Sequence, residues 1–200
     1  LTGGAFDITV KPLVDLWNAA KTSRRLPLKD EIEAARAKVG PQNIILNEAA
    51  RTIFLRQDGV KLNLGGIAKG YAADRAGAAL RENGVKNAII NPGGNMYCLG
   101  RRSKDELWKV GIQHPRKREE LFLEIMVEDK AVVTSGDYER YFELDGKRYS
   151  HIIDPRTGWP IGDAVVSATV IADDSAEADA LATALCVLGP KDGLDMLKRM

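Results

Sequence analysis

Three groups of residues in this chain of 200 have types and spacing suited to chemistry. Asp179 and Thr183 stand four apart in an alanine-rich run, so on a helix the carboxylate and the hydroxyl share one face beside Ala182 and Cys186. Two readings are open for a polar pair on a stripe that should pack inward. One is a hydrogen-bonded pair that satisfies itself in the core. The other is a hard-cation site, since Mg²⁺ takes oxygen donors and uses only one or two carboxylates besides carbonyls, waters and substrate phosphate. The second group is the stretch LGGIAKGY at 64–71, where glycines run into a helix directly after an expected strand. It has neither the P-loop spacing nor that of a dinucleotide fold. It does offer close backbone approach at Gly65 and Gly66 and a cation at Lys69, which suits a pyrophosphate or a metal-bound phosphate; tight helix-to-sheet packing is the competing explanation. The third is His151, Asp154 and Arg156 in SHIIDPRTG, a turn-forming segment after a strand, where a rigid scaffold tends to present reactive groups. A lone histidine is more often structural, and its setting is what makes this one a candidate base.

These groups need elements to hold them. Asp145-Gly146 supplies the positive φ angles of a tight hairpin turn, with Tyr138, Arg140 and Phe142 on one arm and Arg148, Ser150 and Ile152 on the other. The hairpin then ends at His151. Asp174 with Glu177 three residues on reads as a capping box that starts the helix carrying Asp179 and Thr183. Helices are also expected from Thr9 as N-cap, with Leu13, Leu16, Trp17 and Ala20 on one face, over 28–39 with Gly40-Pro41 as its stop, and from the glycine turn to Gly84. Strands are expected at 44–47, 52–56, 60–63, 87–91, 96–99, 108–113, 121–127, 131–134 and 165–172. The Pro92-Gly93-Gly94-Asn95 turn either closes a hairpin or lets a flat ligand lie on bare backbone.

Composition narrows the function classes. With 44% hydrophobic residues the chain is long enough for one good core and reads as a single domain. Basic and acidic residues nearly cancel, 29 against 28, so no overall field draws nucleic acid or an anionic membrane surface. The concentrated basic run at 114–118 is followed at once by Glu119-Glu120 and reads as a solvated loop. Cys98 and Cys186 suit neither a metal knuckle nor a disulfide framework and are expected as buried thiols. No apolar run approaches the ~20 residues needed to cross a bilayer, and no signal peptide is visible. Because it opens on Leu1, the chain is expected to be a fragment.

Taken in order, GAFDITVKPLVDLW (4–17), LGGIAKGYAADRA (64–76), NPGGN (91–95), TSGDYERYFELDGKRYSHIIDPRTG (134–158) and ADALATAL (178–185) closely resemble the ApbE family, the flavin:protein FMN transferases. The motifs span nearly the whole chain. The resemblance implies an α+β fold with mixed, largely antiparallel sheet and packed helices. It implies Mg²⁺-dependent transfer of FMN from FAD to a Ser or Thr hydroxyl of an acceptor flavoprotein domain, leaving AMP. Hydrolysis of FAD to FMN and AMP and non-enzymatic FAD binding are the alternatives. Carried over by motif position, His151 looks like the base that activates the acceptor hydroxyl, with Asp154 a candidate to orient it. FAD is expected along Ala5, Phe6 and Asp7, at Asn63, where many members carry Asp, at Lys69 and against Ile153. The metal is expected on Gly66, Asp179 and Thr183, with Ala182 near it. The resemblance further implies an extracytoplasmic location, periplasmic or through a lipid anchor outside this chain. It also implies that the family's N-terminal portion, which stacks a tyrosine on the isoalloxazine, lies outside these residues.

Overall fold

The computed structural model describes residues 1–117 and 119–200. In chain order its helices are α1 (Lys11–Ser23), α2 (Lys29–Arg36), α3 (Ala68–Glu82) and α4 (Ser175–Leu197). Its strands are β1 (Ile44–Asn47), β2 (Thr52–Leu55), β3 (Ala88–Ile90), β4 (Met96–Leu99), β5 (Trp108–Gln113), β6 (Leu121–Val127), β7 (Lys130–Gly136), β8 (Tyr141–Leu144), β9 (Lys147–Ser150) and β10 (Ser167–Ala172). A four-stranded sheet of order β10-β7-β4-β3 forms the centre, and β1-β2, β5-β6 and β8-β9 are separate pairs. Every ladder among the described residues is antiparallel, which bears out the α+β, largely antiparallel expectation.

The middle of β7 is apolar at successive positions because both faces of the central sheet are covered. On one face Ala131 and Val133 of β7, with Tyr97 and Leu99 of β4, pack on Ala73 of α3 and on Ala178 and Ala182 of α4. On the other, Val132 and Cys98 meet Val110, Ile112 and Val127 of the β5-β6 pair. Alternation along a strand sends neighbouring residues to opposite layers. Complete burial of a side chain such as Val133 stabilises by about 1.5–3 kcal/mol, so this sandwich fixes where α3 and α4 lie.

A second core is built around Trp17 of α1. It stacks on Tyr149 with ring centroids 5.5 Å apart, lies 6.5 Å from Phe142, and donates its indole N–H to the carbonyl of Gly158 at 2.8 Å. Leu13, Ile32, Leu144 and Ile153 complete the cluster. The β8-β9 hairpin and the turn after His151 are therefore held by α1.

Several expectations need correction. Thr9 is not the cap of α1: the Asp7 carboxylate accepts from the Thr9 amide and hydroxyl and caps a 3₁₀ turn over Ile8–Val10, while Thr9 is buried and accepts from the Gly40 amide. Residues 60–63 join no sheet, because the Asn63 amide donates instead to the Ile8 carbonyl at 2.7 Å. The helix expected over 28–39 is the shorter Lys29–Arg36. The hairpin arms are also shorter, and Tyr138, Arg140 and Ile152 lie outside them. The two-residue turn at Asp145 and Gly146, with φ of 50° and 72°, pairs Leu144 with Lys147 and so turns Phe142, Leu144 and Tyr149 toward the Trp17 core. In the basic run, Arg118 lies outside the described residues, and Arg116 does more than face solvent. It forms a two-pronged pair with the buried Asp137, both contacts 2.7 Å, since a buried carboxylate needs such a partner. Cys98 and Cys186 are buried free thiols, as expected.

Candidate active site

Helices α3 and α4 cap each other. Asp74 of α3 accepts from the Ser175 and Ala176 amides at the start of α4, both at 2.8 Å, and Asp179 of α4 accepts from the Gly70 amide in the first turn of α3 at 3.0 Å. The free N–H groups of a helix start favour such acceptors. Burial, the leading influence, nevertheless raises the Asp74 pKa above the ordinary carboxylate value, against the two amide bonds. The helices cross in backbone contact, and a Cβ on Gly70 would stand 2.2 Å from the Ser175 carbonyl oxygen. Glycine is required there. The crossing sets Asp179, only 3% exposed, at the glycine turn.

Thr183 lies one helical turn beyond Asp179, and its hydroxyl donates to the Asp179 carbonyl at 3.3 Å. Gly66 is wedged between two of the expected contacts: a Cβ on it would lie 3.0 Å from the Phe6 ring and 3.3 Å from the Thr183 hydroxyl oxygen. Asn63 ties the two loops together, donating its amide to Ile8 while its side-chain oxygen accepts from the Gly65 amide at 2.8 Å. Ala5 is buried beside Phe6. Phe6, Asp7, Asn63, Gly66, Asp179 and Thr183 are thus assembled by contact or through adjacent backbone. Ala182 is fully buried among the sheet-facing residues, so its methyl serves packing. Among the described residues no group of three or more His, Cys, Asp or Glu is placed to hold a metal ion. The oxygens on hand are one carboxylate, hydroxyls and backbone carbonyls, a hard donor set of the kind Mg²⁺ accepts.

Lys69 donates to the side-chain oxygen of Asn95 at 3.0 Å. Asn95, 1% exposed, closes the Gly93-Gly94 turn, and its side-chain nitrogen is buried without a partner. Sequence reasoning assigned it no role, because the motif reads equally well as a plain turn.

His151 follows β9 directly. Its Nδ1 lies 2.9 Å from the Arg140 carbonyl, which can only accept, so Nδ1 carries the proton and Nε2 keeps a free lone pair. Solvent reaches part of the ring, yet burial by its surroundings lowers the His151 pKa below the ordinary 6.5, with Arg140 and Lys69 adding to the effect and the hydrogen bond to Arg140 and the charge of Glu139 opposing it. Asp154 does not orient His151. Its carboxylate is occupied by Arg156, which reaches it through the backbone amide and two guanidinium nitrogens at 2.8–2.9 Å. Ile153 is buried in the Trp17 core, with its backbone bridged to Pro160, so its side chain is committed to packing.

Ser135 also belongs to this site. Its hydroxyl lies 3.2 Å from that of Thr183. The alternation Ala131, Val133, Ser135 along β7 was the signal that it faces α4. Two concave regions lie elsewhere, one of about 390 Å³ beside Lys21 and Tyr141, the other of about 440 Å³ between β9 and residues 159–163; neither is lined by Asp179 or His151.

The ApbE family model matches residues 1–200. A FAD:protein FMN transferase of Klebsiella pneumoniae (strain 342) is 41% identical over 196 residues, covering 98% of this chain and 60% of that protein. One from Escherichia coli (strain K12) is 36% identical over 203 residues, covering 99% and 58%. The crystal structure of the ApbE protein from Thermotoga maritima superposes with a TM-score of 0.88 at 40% identity, over 99% of this chain and 65% of that one. The apo flavinyl transferase ApbE of Pseudomonas stutzeri gives 0.83 at 36%, over 99% and 61%. The chain spans about three-fifths of the length of the curated relatives it matches.

Proposed function

This chain belongs to the ApbE family, and from that premise we propose that it transfers FMN from FAD to a Ser or Thr hydroxyl of an acceptor flavoprotein domain, with AMP as the leaving group. The observation that carries the reading is the convergence of Phe6, Gly66, Thr183 and Asp179 around one glycine turn, with the Lys69 cation on the same segment.

In this reading FAD lies along Ala5, Phe6 and Asp7, contacts Asn63 and Lys69, and meets Ile153 through its backbone. Lys69 supplies positive charge to the pyrophosphate, held toward it by the neutral Asn95 oxygen. His151 takes the proton of the acceptor hydroxyl at Nε2, the nitrogen left free by the bond to Arg140. Its lowered pKa keeps the ring neutral near pH 7, as a base must be. The acceptor oxygen then bonds to the FMN-side phosphorus as the bond from that phosphorus to the bridging oxygen breaks, and AMP departs with that oxygen. Positioning and charge do most of the work in such a transfer.

Asp179, Thr183 and the Gly66 carbonyl would hold Mg²⁺, and their oxygen chemistry fits it. When bound, the ion supplies charge neutralisation at the pyrophosphate. An extracytoplasmic location belongs to the same proposal and is supported by the family resemblance alone.

Chromatography of nucleotides released from FAD and Mg²⁺, with and without acceptor, tests the reading. Transfer predicts AMP in proportion to acceptor with no equivalent free FMN. Equal AMP and FMN without acceptor would mean hydrolysis, and FAD binding that survives chelation with no AMP at all would mean a binding module.

A further inference from the structure

The face of β7 that meets α4 is apolar at Ala131 and Val133, and its next residue on that face is Ser135. Two residues of α4 hold Ser135. Its hydroxyl lies 3.2 Å from the Thr183 hydroxyl, and its carbonyl accepts from the Cys186 thiol at 3.4 Å. A hydroxyl has one proton and two lone pairs. Thr183 gives its proton to the Asp179 carbonyl, which can only accept. The proton between Ser135 and Thr183 must then come from Ser135. This arrangement uses one lone pair of Thr183 and leaves one on an oxygen that stands beside Gly66.

We propose that Ser135 is a positioning residue for cation binding: by donating to Thr183 it fixes that hydroxyl with its proton turned to the helix backbone and its remaining lone pair free for a divalent ion. The inference rests on the reading of Asp179 and Thr183 as ligands. Outer hydrogen bonds of this kind orient ligands, and losing one typically weakens metal binding about 10–100-fold. Without Ser135 the Thr183 hydroxyl keeps its bond to Asp179 but loses the donor that fills its other lone pair, so one contact instead of two fixes its orientation.

The test is Mn²⁺ affinity, read by electron paramagnetic resonance in the presence of ADP, for wild type, Ser135→Ala, Ser135→Thr, Thr183→Val, Asp179→Asn and the Ser135→Ala/Thr183→Val pair. Ser135→Ala should bind about tenfold more weakly with an unfolding midpoint lowered only slightly, and Ser135→Thr, which keeps the donor, should return most of the affinity. In the Thr183→Val background Ser135→Ala should cause no further loss, because it acts only through Thr183. Wild-type affinity in Ser135→Ala, or an equal loss in both backgrounds, would overturn the inference while leaving the ligand reading intact, provided Asp179→Asn abolishes binding. Failure of the wild type to bind Mn²⁺, or full binding by Asp179→Asn, would overturn the ligand reading and this inference with it.

Discussion

The Gly70 amide donates to the Asp179 carboxylate across 109 residues of sequence at 3.0 Å, and no side chain larger than hydrogen fits at Gly70 where the two helices cross. One contact therefore serves both stability and the site. Gly70→Ala would place a methyl group against the Ser175 carbonyl, so α3 and α4 must separate. Overpacking of this kind costs about 1–3 kcal/mol. Urea unfolding should show that loss together with reduced turnover, and a variant with wild-type stability would mean the crossing is looser than described.

Asp179 can be probed without disturbing the crossing. Asp179→Asn keeps an oxygen for the Gly70 amide but removes the charge, whereas Asp179→Ala also strands that amide, at about 1–3 kcal/mol. Mg²⁺-dependent turnover should be lost in both variants, and thermal stability only in the alanine. Unchanged turnover in a folded Asp179→Asn chain would remove it as a ligand.

His151→Ala should spare FAD binding and slow transfer about 10²–10⁴-fold, the usual contribution of a general base. The wild-type rate should hold down to pH 6.5 and fall at lower pH, since burial keeps the folded pKa below that ordinary value and protonation removes the base. The sign extends to stability. The unfolded chain takes up the His151 proton first, so protonation opposes folding and stability declines as pH drops through this range. A rate profile with no fall below pH 6.5 would rule His151 out as base.

Both thiols should resist reagents in the folded chain. Burial pushes Cys98 up to about 11 and Cys186 up to about 12, and only the thiolate reacts. A disulfide probe at pH 8 should label neither until denaturant is added; prompt labelling of Cys186 would show that the α4–β7 contact opens.

Trp17 links the helical pair to the segment behind His151. Trp17→Phe removes the bond to Gly158, at about 0.5–1.5 kcal/mol, while Trp17→Ala should cost about 3–5 kcal/mol as a cavity forms among Leu13, Ile32 and Tyr149. Calorimetry of the two variants separates the hydrogen bond from the packing.

What was legible in the sequence follows physical lines. Trp108–Gln113 and Leu121–Val127 could be read to the residue, in β6 because apolar residues alternate. Asp174 as the cap of α4 was equally plain, and its side chain accepts from the Glu177 amide at 2.7 Å. Residues 60–63 misled because their pattern suits a strand, and only the Ile8 carbonyl, far off in sequence, decides where the Asn63 amide goes. The candidate ligands Asp179 and Thr183 could be found from spacing. Their companions could not: Gly70 and Ser135 reach them through tertiary contacts 109 and 48 residues apart, which no local period encodes. Asp154 looked suited to orient His151 by proximity in sequence, yet the guanidinium of Arg156 is the stronger partner for a carboxylate and takes it.

Transfer itself is tested most directly by the intact mass of an acceptor flavoprotein domain after incubation with this chain, FAD and Mg²⁺. The proposal predicts one covalently attached FMN per acceptor, absent when the target Ser or Thr is replaced by Ala and absent with Asp179→Asn. An acceptor of unchanged mass in the presence of folded, FAD-bound chain would contradict it.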